Sequence, residues 1–237
     1  ACEALELGSV DMAVVDMAQL IRMEKNDENL PYGVVISGVL KRGDSRYVMI
    51  RKRHAKDLIE NAVVATDSYS KTERIKHMYD GISCVVETDI RKCIEKLDAS
   101  ECDAVFVLLE DIKAARLHNS FLYRYTIMDY GECVPVHGEG VYAMLTKGKK
   151  EAVRTARELS HKSTAECFEI EDDIISRVMQ NVYVKTCDVY ARISSDRLEI
   201  YADVTGNRGR IRVNERGTFV NKNLIITKIV DRISKSM

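Results

Sequence analysis

The residues of this sequence best suited to chemistry by type and spacing are cations. Lys41, Arg42, Arg46, Arg51, Lys52, Arg53, His54 and Lys56 crowd one stretch, and Arg208, Arg210, Arg212 and Arg216 crowd another. Guanidinium forks match phosphate and carboxylate groups two bonds at a time. Arg46, Arg51 and Arg53, with Arg208, Arg210 and Arg212, are therefore the expected basic patch for RNA, a ribosome or another acidic partner. The competing reading of the first stretch is a solvated hairpin. Alternation at 208, 210 and 212 puts those three arginines on one strand face. Cys133 and His137 are metal-ligand types, but two ligands fall short of the three or four a site needs, so no metal is expected. No Ser-His-Asp order and no phosphate-loop motif occurs.

The elements that would position these groups read as an ordinary globular protein. Hydrophobic residues make up 46%, charged residues 31%, and the formal net charge is −1. No global field draws the molecule to nucleic acid or an anionic membrane. No apolar run approaches the ~18 residues of a membrane span. The first residues carry acid rather than a basic leader, so no signal peptide and no membrane are expected. Seven cysteines without framework spacing argue for reduced thiols and a cytoplasmic setting.

Residues 62–109 alternate short apolar strands with helices of about ten residues, which implies βαβ units and a parallel sheet covered on both faces. Strands are also read at 10–15, 34–40, 47–50, 122–128 and 141–146, and a helix at 149–159. After residue 160 the pattern becomes a helix at 169–179, three strands alternating polar and apolar residues, and a closing amphipathic helix at 224–233. This is α/β followed by α+β, with no internal repeat or low-complexity segment.

Several segments, in order, carry a resemblance. Residues 4–20, ALELGSVDMAVVDMAQL, look like a helix and strand leading to an H-S-x-K-D segment. Residues 33–48, GVVISGVLKRGDSRYV, look like G-L-x-L-A-A-V-L-P-R-E-D-P-R-D. Residues 96–105, KLDASECDAV, look like K-L-x-x-G-E-Y-D-A-I, and 134–143, VPVHGEGVYA, look like L-P-A-P-G-Q-G-A-L-G. Thr164, Cys167 and Glu171 fit T-x-x-C-x-x-x-E, and Tyr190-Ala191 fit a strand-closing Y-A. Together they resemble the hydroxymethylbilane synthase (porphobilinogen deaminase) family over nearly the whole chain.

The resemblance implies two periplasmic-binding-protein-like α/β lobes plus a small C-terminal α+β domain. The expected division is residues 1–32 with 133–158 as a remnant of domain 1, 33–132 as domain 2, and 159–237 as domain 3. Gly138-Glu139-Gly140 would then be an interdomain crossover turn. Nothing before Ala4 matches the family's T-R-x-S-x-L-A motif, so the first lobe is expected to be incomplete.

The resemblance also implies where catalytic groups should stand, and this sequence departs there. Tyr183 takes the place of the cysteine that carries the family's dipyrromethane cofactor. Cys187, four residues on, is the one candidate for a relocated thiol. Gln19 replaces the aspartate that stabilises the cationic transition state, a task an amide does poorly. Asp16, three residues earlier on a segment read as extended, would face the other way. Among the arginines that hold substrate carboxylates, Ser70 and Lys71 replace a pair, Glu87 reverses a charge, Cys93 and Ala114 remove one each, and Lys147 is a mild change. Lys113 is kept.

The expectation is a degenerate family member, catalytically inactive, holding no cofactor and binding a protein or ribonucleoprotein. The alternative is an active hydroxymethylbilane synthase of tetrapyrrole biosynthesis with dipyrromethane on Cys187.

Overall fold

The computed structural model describes residues 1–26, 28–55 and 61–237. In chain order the elements are α1 (Cys2–Glu6), β1 (Met12–Asp16), α2 (Met17–Lys25), β2 (Val34–Val39), β3 (Tyr47–Lys52), β4 (Val63–Thr66) and α3 (Tyr69–Met78). There follow β5 (Ser83–Val86), α4 (Ile90–Asp98), β6 (Ala104–Leu108), α5 (Leu109–Ala114), β7 (Tyr123–Ile127), β8 (Tyr142–Lys147) and α6 (Lys150–Leu159). The last third holds α7 (Lys162–Val178), β9 (Val184–Ser194), β10 (Arg197–Gly206), β11 (Gly209–Thr218) and α8 (Lys222–Ser236). They divide into two compact units, 1–43 with 134–237, and 44–133.

The 44–133 unit is one five-stranded sheet in the order β5-β4-β6-β3-β7. β4 runs parallel to β5 and β6, while β3 runs antiparallel to β6 and β7. The sequence Ala-Val-Phe-Val-Leu of β6 is buried at every position. This is what an interior strand covered on both faces requires. One face packs Val105 and Val107 against Cys93, Leu97 and Ile112; the other packs Phe106 against Ile75 and Tyr47. Helix α4 starts where Asp89 accepts the Arg91 N–H at 2.9 Å, a cap that contributes about 1 kcal/mol.

The other unit has two sheets. In the first, β8 lies between β1 and β2 and runs antiparallel to both. Leu5, Met17, Leu20, Ala143 and Leu145 form its core. A register shift between Ile36 and Gly38 bends β2. Any Cβ at Gly38 would sit 2.6 Å from the Ala156 carbonyl of α6, so only glycine lets α6 pack this closely. The second sheet, β9-β10-β11, is an antiparallel meander with α7 and α8 on one face. Its strands alternate buried and open positions, as a one-sided sheet should.

The mixed α/β class read from the sequence is the fold observed. Three local readings differ. Residues 34–39 pair with β8 and so belong to the first sheet, not with 44–132. Residues 17–19, read as part of an extended segment, instead open helix α2, because Asp16 caps it. Helix α7 begins at Lys162, seven residues earlier than the sequence pattern suggested, with His161 as its cap. No described helix is long and apolar enough to cross a membrane.

Candidate functional site

In α7, Thr164, Cys167 and Glu171 recur at helical spacing and are all buried on one face. That face meets Arg42, which follows β2. The Arg42 N–H donates to Thr164 Oγ1 at 3.0 Å, and its guanidinium grips both Glu171 oxygens, Nη2 to Oε2 at 2.9 Å. The same guanidinium donates to the Ala191 carbonyl and lies over the Tyr190 ring, 4.9 Å from its centre. Glu171 also accepts the Ala191 N–H at 2.8 Å. Burial acts against the Arg42 charge, but the charge and hydrogen bonds of Glu171 outweigh it and hold the guanidinium protonated. Burial likewise favours neutral Glu171, and Arg42 and His137 outweigh it, keeping the carboxylate below its ordinary range.

His137 completes this cluster. Its Nε2 lies 2.9 Å from Asp172 Oδ1 and its Nδ1 3.5 Å from Glu171 Oε2. The ring stacks on Phe168 at 4.8 Å, and its backbone N–H donates to Asp188. Burial opposes the charged ring, but Asp172 and Glu171 raise it to about 9. Cys167, beside them, is pushed up to about 11 by burial, so it is no nucleophile. The arrangement is a clamp joining the segments around 42 and 137 to α7 and β9, with Arg42 Nε and His137 Nδ1 left without hydrogen-bond partners. Sequence reasoning missed it. The T-x-x-C-x-x-x-E spacing marks the helix face, but nothing local shows that its partner lies at Arg42.

In the 44–133 unit the expected substrate positions gather at the C-terminal ends of β4, β5 and β6. Open α/β sheets place ligands at that edge. Lys71 donates to both oxygens of Asp67, at 2.7 and 2.8 Å, and is buried. Ser70 and Ser68 hydroxyls are 3.1 Å apart. Glu87 is half-buried, and its carbonyl accepts from the Cys93 thiol at 3.2 Å. Cys93 is fully buried and pushed up to about 12, first by burial and then by Asp67 and Glu87. Ala114 is exposed on α5, and Lys113 reaches Asp44 at 3.5 Å. Arg46 is held by Asp44 through its Nε and Nη2. Thus Lys71, Arg46 and Lys113 each face an acid, and Glu87, Asp89 and Glu110 add further negative charge at this edge.

The family model for "Porphobilinogen deaminase, dipyromethane cofactor binding domain" matches residues 2–155. The chain belongs to the porphobilinogen deaminase family. Its relatives include porphobilinogen deaminase of Clostridium acetobutylicum, 22% identical over 86% of this chain and 74% of that one. The enzyme of Chlorobium luteolum is 24% identical over 79% of this chain and 60% of that one. A probable porphobilinogen deaminase of Picrophilus torridus is 23% identical, over 71% and 61%. The chain therefore spans about three fifths of the length of the last two. Among solved structures, the periplasmic VFT2 domain of Bordetella pertussis BvgS is 16% identical with a TM-score of 0.43, covering 67% of this chain and 64% of that one. The substrate binding protein of an amino acid ABC transporter gives 16% and 0.42, over 70% of each.

This match corrects one expectation. The sequence reading expected no cofactor, whereas the matching porphobilinogen deaminase model is that of a cofactor-binding domain. Attachment through a thioether requires a reachable thiolate. Cys187 points into the core of the β9 sheet, 7% exposed, and burial pushes its thiol up to about 12. Tyr183 is 54% exposed in the turn before β9, with its N–H bonded to Asn181 Oδ1 at 3.0 Å. Neither residue fits a thioether, so no step is derived through one. Gln19 is the third residue of α2, exposed, its N–H donating to Asp16 Oδ1 at 3.0 Å. Asp16 is therefore a helix cap, not a residue on the opposite face of a strand. Lys147 Nζ donates to the Glu6 carbonyl at 3.3 Å.

The first basic stretch is divided between the two units, Arg42 in one and Arg46, Arg51 and Arg53 in the other. Arg42 is buried in the clamp, Arg51 is half-buried in β3, and Arg53 is bound to the Ser120 carbonyl. β3 is an interior strand rather than half of a solvated hairpin; Lys56 lies outside the described residues. In the second stretch Arg210 and Arg212 do share a face. They converge on buried Asp203, at 2.7 and 3.4 Å. Arg208 is in the β10–β11 turn and exposed, and Arg216 is exposed beside Glu199. Among the described residues no group of three His, Cys, Asp or Glu is placed to hold a metal ion.

Proposed function

We propose that this porphobilinogen deaminase family chain no longer condenses porphobilinogen and works by binding an acidic protein or ribonucleoprotein. The observation that carries this reading is the self-pairing at the strand ends of the 44–133 unit. There Asp67 takes Lys71 and Asp44 takes Arg46, leaving Glu87 and Asp89 to meet an incoming carboxylate. A carboxylate about 4 Å from Glu87 would be repelled by roughly 1–4 kcal/mol. Gln19 offers no charge to a developing cation, and Cys187 offers no thiolate. A reducing cytoplasmic setting suits the seven free cysteines.

The deciding experiment pairs porphobilinogen consumption with intact mass of the purified chain. The expectation is no turnover above a buffer blank. Turnover that Cys187→Ser abolishes would establish the active alternative instead. Iodoacetamide labelling of the native protein should modify half-exposed Cys2 and Cys84 well before Cys93 and Cys187. For the partner face, Arg208→Glu with Arg216→Glu is the suitable variant. Arg210 is best left in place, because removing it would take the bidentate partner from buried Asp203. The double change should weaken partner binding at low salt, with unaltered melting; unchanged binding would remove this face from the proposal.

A further inference from the structure

A cavity of roughly 470 Å³ lies beside α2 and shares Phe168 and Asp172 with the edge of the clamp. We infer that it binds a small molecule with an apolar body and a positive charge. The reading does not depend on whether porphobilinogen is turned over.

The walls are Leu20 and Met23 of α2, Ile36 of β2 and Phe168 of α7. Its size falls in the ~300–1,000 Å³ range typical of ligand pockets, which are mostly apolar with a few placed polar groups. Those groups here are the carboxylates of Glu24 and Glu28 and the amide of Asn29, while Asp172 is already paired with His137. Among the described residues no lysine or arginine lines it. The Phe168 wall is rigid, because its ring stacks on His137, which is held by Asp172 and Glu171. Glu24 and Glu28 are exposed, so a ligand ammonium beside them keeps part of its hydration while its apolar portion leaves water. An anionic ligand would meet the same carboxylates at a cost. The cavity thus selects a charge opposite to that of a polycarboxylate.

Three isosteric indoles test this directly: tryptamine, neutral tryptophol and indole-3-acetate. The protein has no tryptophan, so indole emission excited at long wavelength reports the ligand. Tryptamine should bind about tenfold tighter than indole-3-acetate at low salt, with tryptophol between them, and added salt should narrow the gap. Glu24→Gln with Glu28→Gln should reduce that preference to about threefold or less. Ile36→Arg, at a side chain 46% exposed on the cavity wall, should reverse it. Both variants change side chains with substantial solvent access, and circular dichroism with melting checks their fold; if Ile36→Arg does not fold, the glutamine pair still decides. Equal or tighter binding of indole-3-acetate to the unaltered protein overturns the inference. So does a preference that survives the glutamine pair, or no saturable binding of any of the three.

Discussion

Strands β1 and β6 hold the same place in two differently built sheets. Each follows a helix (α1 or α4), leads directly into another (α2 or α5), and pairs antiparallel with a strand beyond which lies the next one in sequence. The order β1-β8-β2 matches β6-β3-β7. Their surroundings differ. β6 also pairs with β4 on its other edge and is buried throughout. β1 pairs with β8 alone among the described residues, and Val14 is 50% exposed where its counterpart Phe106 lies under α3 at 0%. The lesson is that strand position alone does not set strand chemistry. Residues 12–16, Met-Ala-Val-Val-Asp, tolerate water in a way that Ala-Val-Phe-Val-Leu does not, because burial comes from neighbours on both edges and both faces.

The comparison can be broken most forcefully at Phe106. Phe106→Ala should cost about 3–5 kcal/mol, read by urea unfolding, with loss of amide protection in β3, β4 and β6. A loss below about 1 kcal/mol would mean that this sheet is not the better-packed one. Arg42→Ala should cost a comparable 3–5 kcal/mol, since it strands buried Glu171. Here the lost protection should fall on α7 and β9, and protection in β4–β6 should persist. If it does not, the two units unfold as one.

His137 supplies a pH test confined to the first unit. Its folded value is raised above the ordinary ~6.5, to about 9. Its contribution is therefore complete below pH ~6.5 and fades as pH rises toward 9, by a few kcal/mol at most. His137→Asn should flatten that slope between pH 6.5 and 8.5. Above that, the buried thiols of Cys93 and Cys187, raised to about 12, add a loss of the same sign and would confuse the reading. The smallest effect is expected at β1. Val14→Ala should change stability by under about 0.5 kcal/mol, which differential melting can bound.

Much of the 44–133 unit was legible because its strands are short, β-branched apolar runs between longer amphipathic helices, and length and residue type together with period distinguish them. The one-sided sheet of β9–β11 was legible for the same reason. The start of α2 was not, since Asp16 acts as a cap only when the chain turns after β1, and a valine-rich approach reads as continued strand. The repeated α-β-α-β order also escaped the sequence reading, because the two copies share topology and little residue identity. At the candidate site, the replaced positions Gln19, Tyr183 and Glu87 could be found by counting along motifs. What those positions face could not. Lys71 stands for one of a pair of arginines and is held by Asp67, and Arg42, read as part of a basic stretch, is buried against Glu171. The Arg42–Glu171 pairing spans 129 residues and leaves no local periodic mark, whereas Asp67 and Lys71 stand four residues apart, a spacing the sequence does carry.

The central strand of the first sheet, β8, begins at Tyr142, whereas its two neighbours end at Asp16 and Val39. During synthesis β1 and β2 would emerge with no strand between them and wait while the whole 44–133 segment is made. That segment is continuous and has every strand of its own sheet. It should finish first, leaving the older part of the chain to close last around the clamp of Arg42 and Glu171. For this protein, age along the ribosome and order of completion run in opposite directions.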